Sequence, residues 1–459
     1  MAVDYDLIIL GGTPEGYEAA EQAAQLGARV AWILNGQEGR RSPLFLETLL
    51  LSNPQSEPSA SQSSQWQRAV ERAKLTADVL TQEDLQRLMV QGVDVIAETG
   101  RLVRDRPLQV KTVSRQLTAR SVLLATGNVP QLFKIPGLAS VPYETPSTFL
   151  HQEKLPGSVI VLGRSPAGLA LCQFLRRWNS AVTLVAPQDT LLPREDPDTS
   201  RWIQAQLRAE GVRLKLGTII ETVTYRDGSI CLRLPHETIS VACLVVAAPP
   251  LPNLMDVGIE KWTVEGCLSV NAYLQTSHPR IYACGAAIGG HELAAIARQE
   301  ARLAVSNALF WNRYRIDYCT IPYTLLTRPE MARVGLTEAQ AKRRYSEDDL
   351  LIARQTLYDL PKAQWRRATL GFCKVIAHRS GEILGVHGVG PEAREWVQTM
   401  AVLMVRQAPW WAVAHYPTLP NSLTDILRQT VSQWERDRWH PGRWRRDWSE
   451  NWFNWRRQR

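Results

Sequence analysis

Tyr5-Asp-Leu-Ile-Ile-Leu10 is an apolar run, Gly11-Gly-Thr-Pro-Glu-Gly16 follows it, Tyr17–Leu26 is rich in alanine and ends on Gly27, and Arg29–Leu34 is apolar again. A short apolar run ending in glycines reads as a buried strand, the alanine-rich stretch as a helix stopped by glycine, and the last run as a second strand. Strand, tight turn, helix, strand is a βαβ unit. The same order returns at Ser158–Leu162, Gly163-Arg-Ser-Pro-Ala-Gly168, Leu169–Trp178 and Ala181–Val185, with Gly163 lying 152 residues after Gly11. Two such units predict an α/β chain with two tandem Rossmann-like domains.

Further out, Ser121-Val-Leu-Leu-Ala-Thr-Gly127 reads as a strand ending in a glycine turn, and Arg280-Ile-Tyr-Ala-Cys-Gly285 as a strand feeding a helix over Glu292–Phe310. From Ile321 the texture changes to strand-like runs (Phe372–Ala377, Ile383–Val389) and an apolar helix, Glu392–Arg406, which predicts a separate α+β domain. Asn53–Gln65, rich in Ser, Gln and Pro, reads as an exposed flexible loop. The expected division is 1–152 with 278–320, then 153–277, then 321–431, with 432–459 as an extension.

The chain has 459 residues, 45% hydrophobic and 21% charged, which excludes collagen, coiled coil and wholesale disorder. Its net charge is 53 − 45 = +8, and Trp434–Arg459 holds eight Arg against four acids, half of that excess. The body is therefore only mildly basic, which argues against a nucleic-acid groove. The seven cysteines (172, 231, 243, 267, 284, 319, 373) form no CxxC pair and no cluster with His at metal-ligand spacing, so neither a disulfide framework nor a metal site is expected. Isolated cysteines of this kind and an acidic start running straight into a strand are the expectation for a cytoplasmic protein without a signal peptide. The apolar stretches Val241–Pro252 and Met400–Tyr416 are too short, or too broken by Arg406 and Pro409, to span a membrane.

In motif order the chain resembles the pyridine nucleotide-disulfide oxidoreductases, the group of mercuric reductase, dihydrolipoamide dehydrogenase and glutathione reductase. Gly11–Ala20 is similar to the family's FAD-binding turn, Ala125-Thr-Gly127 to its second flavin motif and Ile281–Gly285 to its third. Leu191-Leu-Pro-Arg-Glu-Asp-Pro197 looks like the mercuric reductase branch. Thr327–Glu338 and Tyr416-Pro-Thr418 are similar to the dimerisation domain. The resemblance runs from residue 4 to about 431 and implies a homodimer with an FAD-binding-type domain, an NAD(P)-binding-type domain and a C-terminal α+β dimerisation domain.

The family's chemistry sends electrons from flavin to a CxxxxC pair just after the first βαβ unit. Here that stretch is Gly36–Thr48, without cysteine, and the first cysteine of the chain is Cys172. A thiolate is the nucleophile that attacks a disulfide, so a dithiol relay is not expected. The family's His on Pro-Thr reads Tyr416 and its partner Glu reads Asn421, neither of which replaces an imidazole–carboxylate pair at neutral pH. His415 stands one position away. The C-terminal cysteine pair expected of mercuric reductases is absent as well. No catalytic residue is assigned.

A GxGxxG turn uses its middle glycine for close approach to pyrophosphate. The first turn reads Gly11, Thr13, Gly16, with Glu15 adding negative charge, and Asn35 stands where an acid would bind ribose. Gly285 is followed by Ala286 where the resemblance places the acid holding the ribityl chain. The second turn reads Gly163, Ser165, Gly168, with Ala186 where a charge reader would select NAD or NADP. If FAD is kept, Gly11, Gly12, Gly16, Asn35, Thr126, Gly127 and Gly285 would hold it, and Gly163 and Gly168 would meet NAD(P). A plain βα turn is the competing reading of each. Two functions follow: a thiol-free NAD(P)H oxidoreductase passing electrons from flavin to a small acceptor such as a quinone or oxygen, or an inactive scaffold, a pseudoenzyme. In the tail, Trp444, Trp448, Trp452 and Trp455 fall within an arc of about 80° of one helix face. With Arg445, Arg446, Arg456 and Arg457 beside them, residues 443–459 fit a face packed on protein or a helix lying on anionic lipid.

Overall fold

The structure, a computed structural model, describes all residues except 1–2, 37–40, 53–61, 106, 150, 255–256, 260–262, 265, 291–292, 416, 418, 439–443 and 459. The chain opens with β1 (Tyr5–Leu10), α1 (Pro14–Gln25), β2 (Val30–Ile33), α2 (Arg41–Leu51), α3 (Gln62–Val90) and β3 (Asp94–Ile96). An antiparallel excursion, β4 (Arg101–Asp105) and β5 (Leu108–Lys111), leads back to β6 (Gln116–Leu124). After β7 (Asn128–Val129) and α4 (Pro146–Phe149), the second βαβ unit is β8 (Ser158–Gly163), α5 (Pro166–Arg177) and β9 (Ala181–Ala186). It continues through α6 (Pro197–Ala209), β10 (Arg213–Leu216), an antiparallel triplet β11–β13 (Thr222–Arg226, Ser229–Arg233, Thr238–Val241) and β14 (Cys243–Ala247). Short strands β15 (Leu251–Pro252), β16 (Thr263–Val264) and β17 (Cys267–Leu268) precede β18 (Ile281–Ala283) and α7 (Ala294–Leu309).

The first sheet has the order β3-β2-β1-β6-β5-β4, with β18 returning to pair β6 in parallel. Leu7 to Leu10 of β1 are fully buried, as a central parallel strand covered on both faces requires. Period-two alternation divides them: Leu7 and Ile9 face the cluster with Tyr17, Ala20 and Trp32, while Ile8 and Leu10 join Ile33, Val122 and Leu124. The second sheet, β10-β9-β8-β14, is parallel throughout.

Two compact units divide the chain. The first contains both βαβ sheets and spans 1–192 with 204–317; the second comprises 193–203 with 318–459. The second is built on an antiparallel sheet of β19 (Tyr323–Leu325), β20 (Glu330–Gly335), β21 (Leu350–Thr356), β22 (Phe372–His378) and β23 (Ile383–Gly390), in the order β19-β20-β23-β22-β21. Helices α8 (Glu338–Arg344), α9 (Pro361–Trp365), α10 (Ala393–Val405), α11 (Trp410–His415) and α12 (Asp425–Arg438) complete it, and α13 (Trp444–Arg457) ends the chain. Its core joins Val375 and Val386 of the sheet to Trp396, Met400, Ile426 and Trp434 of the helices. Most of the Asn53–Gln65 loop expectation lies outside the described residues, and from Gln62 the chain is already helical in α3. Helix α12 runs through position 432, so Trp434, read from sequence as part of the extension, is a core residue of the second unit.

Candidate functional site

Both glycine turns form as the βαβ reading expects. Gly11 has φ +121° and Gly163 φ +109°, and a Cβ on either would lie 1.9 Å from the Ala125 carbonyl oxygen or 2.4 Å from that of Ala247. Only glycine fits such a turn. Gly16 and Gly168 allow helix to pack on strand, a Cβ on Gly168 falling 2.5 Å from the Ala247 Cβ.

The middle positions do something the sequence reading missed. Thr13 is the N-cap of α1, its Oγ1 accepting the Gly16 N–H at 3.1 Å and donating to the Ala125 carbonyl at 2.9 Å. Ser165 is the N-cap of α5, accepting from Gly168 N–H at 3.3 Å. A proline at the first helical position follows each. The signal was present: Thr-Pro and Ser-Pro before an apolar helix are N-cap and N1 residues that close a helix start upon itself.

Glu15 completes the closure at the first turn. Although acidic, it is only 6% exposed. Its carboxylate lies against Gly285, where a Cβ would fall 2.4 Å from Oε1. Burial pushes the Glu15 carboxyl up to about 7, a weaker acid than an exposed glutamate, with the charge of Arg298 among the influences that pull the other way. Of the backbone donors at the start of α1, Pro14 has none, Gly16 N–H meets Thr13 Oγ1, and Tyr17 N–H makes the ordinary helix bond to the Thr13 carbonyl at 3.0 Å.

The other predicted residues sit around this turn. Gly12 donates to the Leu34 carbonyl at 2.9 Å. Asn35, at φ +52°, accepts the Gly100 N–H on Oδ1 at 2.8 Å, so the oxygen expected to meet a ribose is engaged in the fold. Thr126 is buried, and Gly127 accepts from Asn253 N–H at 2.9 Å. Gly285 donates its N–H to the buried Glu300 carboxylate at 2.6 Å.

Two family models match the chain, one described as pyridine nucleotide-disulphide oxidoreductase over residues 5–301, the other as the dimerisation domain of the same enzymes over 321–423. The chain belongs to the pyridine nucleotide-disulphide oxidoreductase family. It is 28% identical to a dihydrolipoyl dehydrogenase of Bacillus subtilis across 92% of this chain and 97% of that one, and 27% identical to a mercuric reductase of Staphylococcus aureus across 87% and 77%. Among solved structures it superposes on LpdA of Mycobacterium tuberculosis with a TM-score of 0.82 at 25% identity, covering 93% of this chain and 99% of that one. It also matches the fold of the HOCl-induced flavoprotein disulfide reductase RclA of Escherichia coli, with a TM-score of 0.82 at 21% identity over 93% of this chain and 99% of that one.

The family binds FAD and NAD(P), and against that background the first turn is the exception. A pyrophosphate is met by helix N–H donors and a positive helix end; here Thr13 Oγ1 holds the Gly16 N–H, and a buried carboxylate of the first turn of α1 lies against Gly285. That carboxylate opposes the charge a pyrophosphate would bring.

Of the described cysteines, Cys231, Cys267 and Cys319 are partly exposed. Cys172, Cys243, Cys284 and Cys373 are buried, and burial pushes the thiols of Cys243 and Cys373 up to about 12. Tyr416 lies outside the described residues. His415 is exposed, its Nδ1 at 2.8 Å from the Trp411 carbonyl and its Nε2 at 3.4 Å from Glu435 of α12.

The Leu191–Pro197 motif has a structural place. Asp196, fully buried, meets Lys374 Nζ at 2.9 Å, and the same ammonium meets Asp198 at 2.8 Å and Glu338 at 2.6 Å. Glu195 takes Arg333 at 3.2 Å and the Tyr323 hydroxyl at 2.7 Å. These contacts bind 193–203 to the sheet of the second unit.

Proposed function

We propose that this chain is a family member working without a dithiol relay and, in its resting state, without dinucleotide phosphate at the first turn: a pseudoenzyme scaffold that keeps the fold and the dimerisation domain. The observation that carries this is the first turn of α1, where Thr13 holds the Gly16 N–H and the buried Glu15 carboxylate lies against Gly285. The missing cysteine before Cys172 points the same way. The test is the visible absorption spectrum of the purified full chain, followed by NADH and NADPH oxidation. A colourless protein that oxidises neither is expected. A second reading, a thiol-free NAD(P)H oxidoreductase using a small acceptor such as a quinone or oxygen, draws support from Gly11, Gly12, Gly16, Thr126 and Gly127, all retained beside the parallel strands β2, β1 and β6. A yellow protein that oxidises NAD(P)H yet turns over no disulfide would establish that reading instead.

The scaffold docks through α13. Trp448, Trp452 and Trp455 are 63%, 46% and 46% exposed and stack on one another with centroids 6.0 and 5.1 Å apart. Four arginines against Asp447 and Glu450 give the helix a positive charge. Amphipathic aromatic rings beside cations match the interface of an anionic membrane. Because Trp434 belongs to the core, the informative truncation removes 443–459 and keeps α12. The full chain should co-sediment with phosphatidylglycerol-containing vesicles and not with pure phosphatidylcholine, and the truncated chain with neither. Equal sedimentation of both chains would refute the docking role.

A further inference from the structure

The scaffold reading above rests on a closed turn, and the way the turn is closed carries a more specific consequence. Two acidic positions have changed places. Where the sequence resemblance puts a ribityl-holding acid, the chain has Ala286, while a new carboxylate, Glu15, lies against the adjoining Gly285. Glu15 lies in the first turn of α1, at the helix end that attracts anions. It is nine-tenths buried, and Glu300 of α7 stands on the other side of Gly285 with its carboxylate on the Gly285 N–H. A side chain that buries a carboxylate at an anion-attracting helix start, against the glycine of the third flavin motif, is an internal competitor for an anion there.

We infer that Glu15 is an intramolecular stand-in for a dinucleotide pyrophosphate, and that its withdrawal is what opens the first turn to FAD. Thr13 seconds it by holding the Gly16 N–H. The latch is local: Gly11, Gly16, Thr126, Gly127 and the sheet that carries them stay as they are when Glu15 leaves. A side chain tethered within the site competes at high effective concentration, so a free dinucleotide must displace it to occupy the place beside Gly285.

The experiment is a titration of the full-length protein with FAD and separately with ADP, read by flavin fluorescence quenching and by the ligand-induced shift in melting temperature. The chains compared are the parent, Glu15→Ala, Glu15→Gln and Thr13→Gly with Glu15→Ala. Regaining one or two charge-assisted phosphate hydrogen bonds predicts a gain in FAD affinity of about tenfold or more for Glu15→Ala. The double variant should bind more tightly still. Glu15→Gln, isosteric and uncharged, is expected to fold as the parent does and to fall between parent and Glu15→Ala, which guards against a folding artefact. Unchanged FAD affinity in folded Glu15→Ala and Glu15→Gln overturns the inference. A loss of affinity overturns it as well, since it would make Glu15 a supporter of the ligand. These outcomes are separate from the fate of the scaffold reading. A colourless parent whose Glu15 variants also take up no FAD keeps the scaffold and removes the latch. A yellow parent whose variants bind more tightly keeps the latch and removes the scaffold.

Discussion

Glu15 shows how one side chain turns a shared motif to another use. Burying a carboxyl raises the cost of its charge, and the partners present offset only part of that, so the Glu15 pKa is raised from the ordinary 4.5 to about 7. Around it, Glu300 and Arg298 of α7 and Cys284 after β18 contribute the remaining local charge and titratable groups. The folded chain thus holds the Glu15 proton more tightly than the unfolded chain does. Stability from this group is complete below 4.5 and is lost as the pH rises through about 7. Glu15→Gln abolishes that loss. Thermal melts of parent and variant from about pH 5 to about pH 8 should therefore diverge in the variant's favour with rising pH, by about 3 kcal/mol at most. Parallel curves would refute the buried-carboxyl assignment. His387 has the opposite sign. Burial depresses it to about 4, so its contribution is full above the ordinary 6.5 and fades as the pH falls through 4. Comparing each variant with its parent at the same pH keeps the two apart.

At the scale of elements, α3 is the feature least visible in the sequence. It has 29 residues, yet its buried stripe is only Trp66, Ala73, Ala77, Thr81, Asp84 and Leu88, spaced by seven, four, four, three and four. The period is helical, but small and polar side chains carry it, so no run of large apolar residues announces the helix. Trp66 anchors it, fully buried, edge-on to Trp178 at 5.4 Å, beside Phe174 at 5.8 Å, and donating to the Gln152 carbonyl at 3.0 Å. Trp66→Ala should cost about 3–5 kcal/mol in urea unfolding, with Trp66→Phe markedly milder. A cost under about 1 kcal/mol would show that α3 is not held by this cluster. The two N-caps belong to this scale too. Their residues were legible, but as losses of glycine; that they also terminate α1 and α5 becomes clear only when the hydrogen bonds are followed to Gly16 and Gly168.

For the molecule as a whole, sulfur chemistry and charge are the deciding inventories. With the first 171 residues free of cysteine and four of the seven thiols buried, the protein should turn over neither lipoamide nor glutathione disulfide with NADH or NADPH. Measurable turnover would overturn the thiol-free assignment. Within the second unit, stability concentrates on Lys374, whose side chain is 3% exposed between three carboxylates. The three carboxylates hold the ammonium protonated against its burial. Lys374→Ala leaves Asp196 buried without its cation and should cost about 3–5 kcal/mol by denaturant unfolding. Lys374→Arg should recover part of the loss. An Ala variant as stable as its parent would mean the cluster is dispensable.

The sequence by itself determined the order of strands and helices, the two glycine turns, the α+β C-terminal unit and the lack of cysteine before Cys172. Each of these is written in local pattern: hydrophobic period, glycine at forced dihedrals, or residue type. Only the tertiary structure decided what fills the turns and what the Leu191–Pro197 motif is for. Thr13 holds the Gly16 N–H three residues on, but the Glu15 carboxylate rests on Gly285, 270 residues away in sequence, and Asp196 finds Lys374 178 residues on. Burial and pairing over such separations depend on which segments the fold brings together, and no local pattern of residues encodes that.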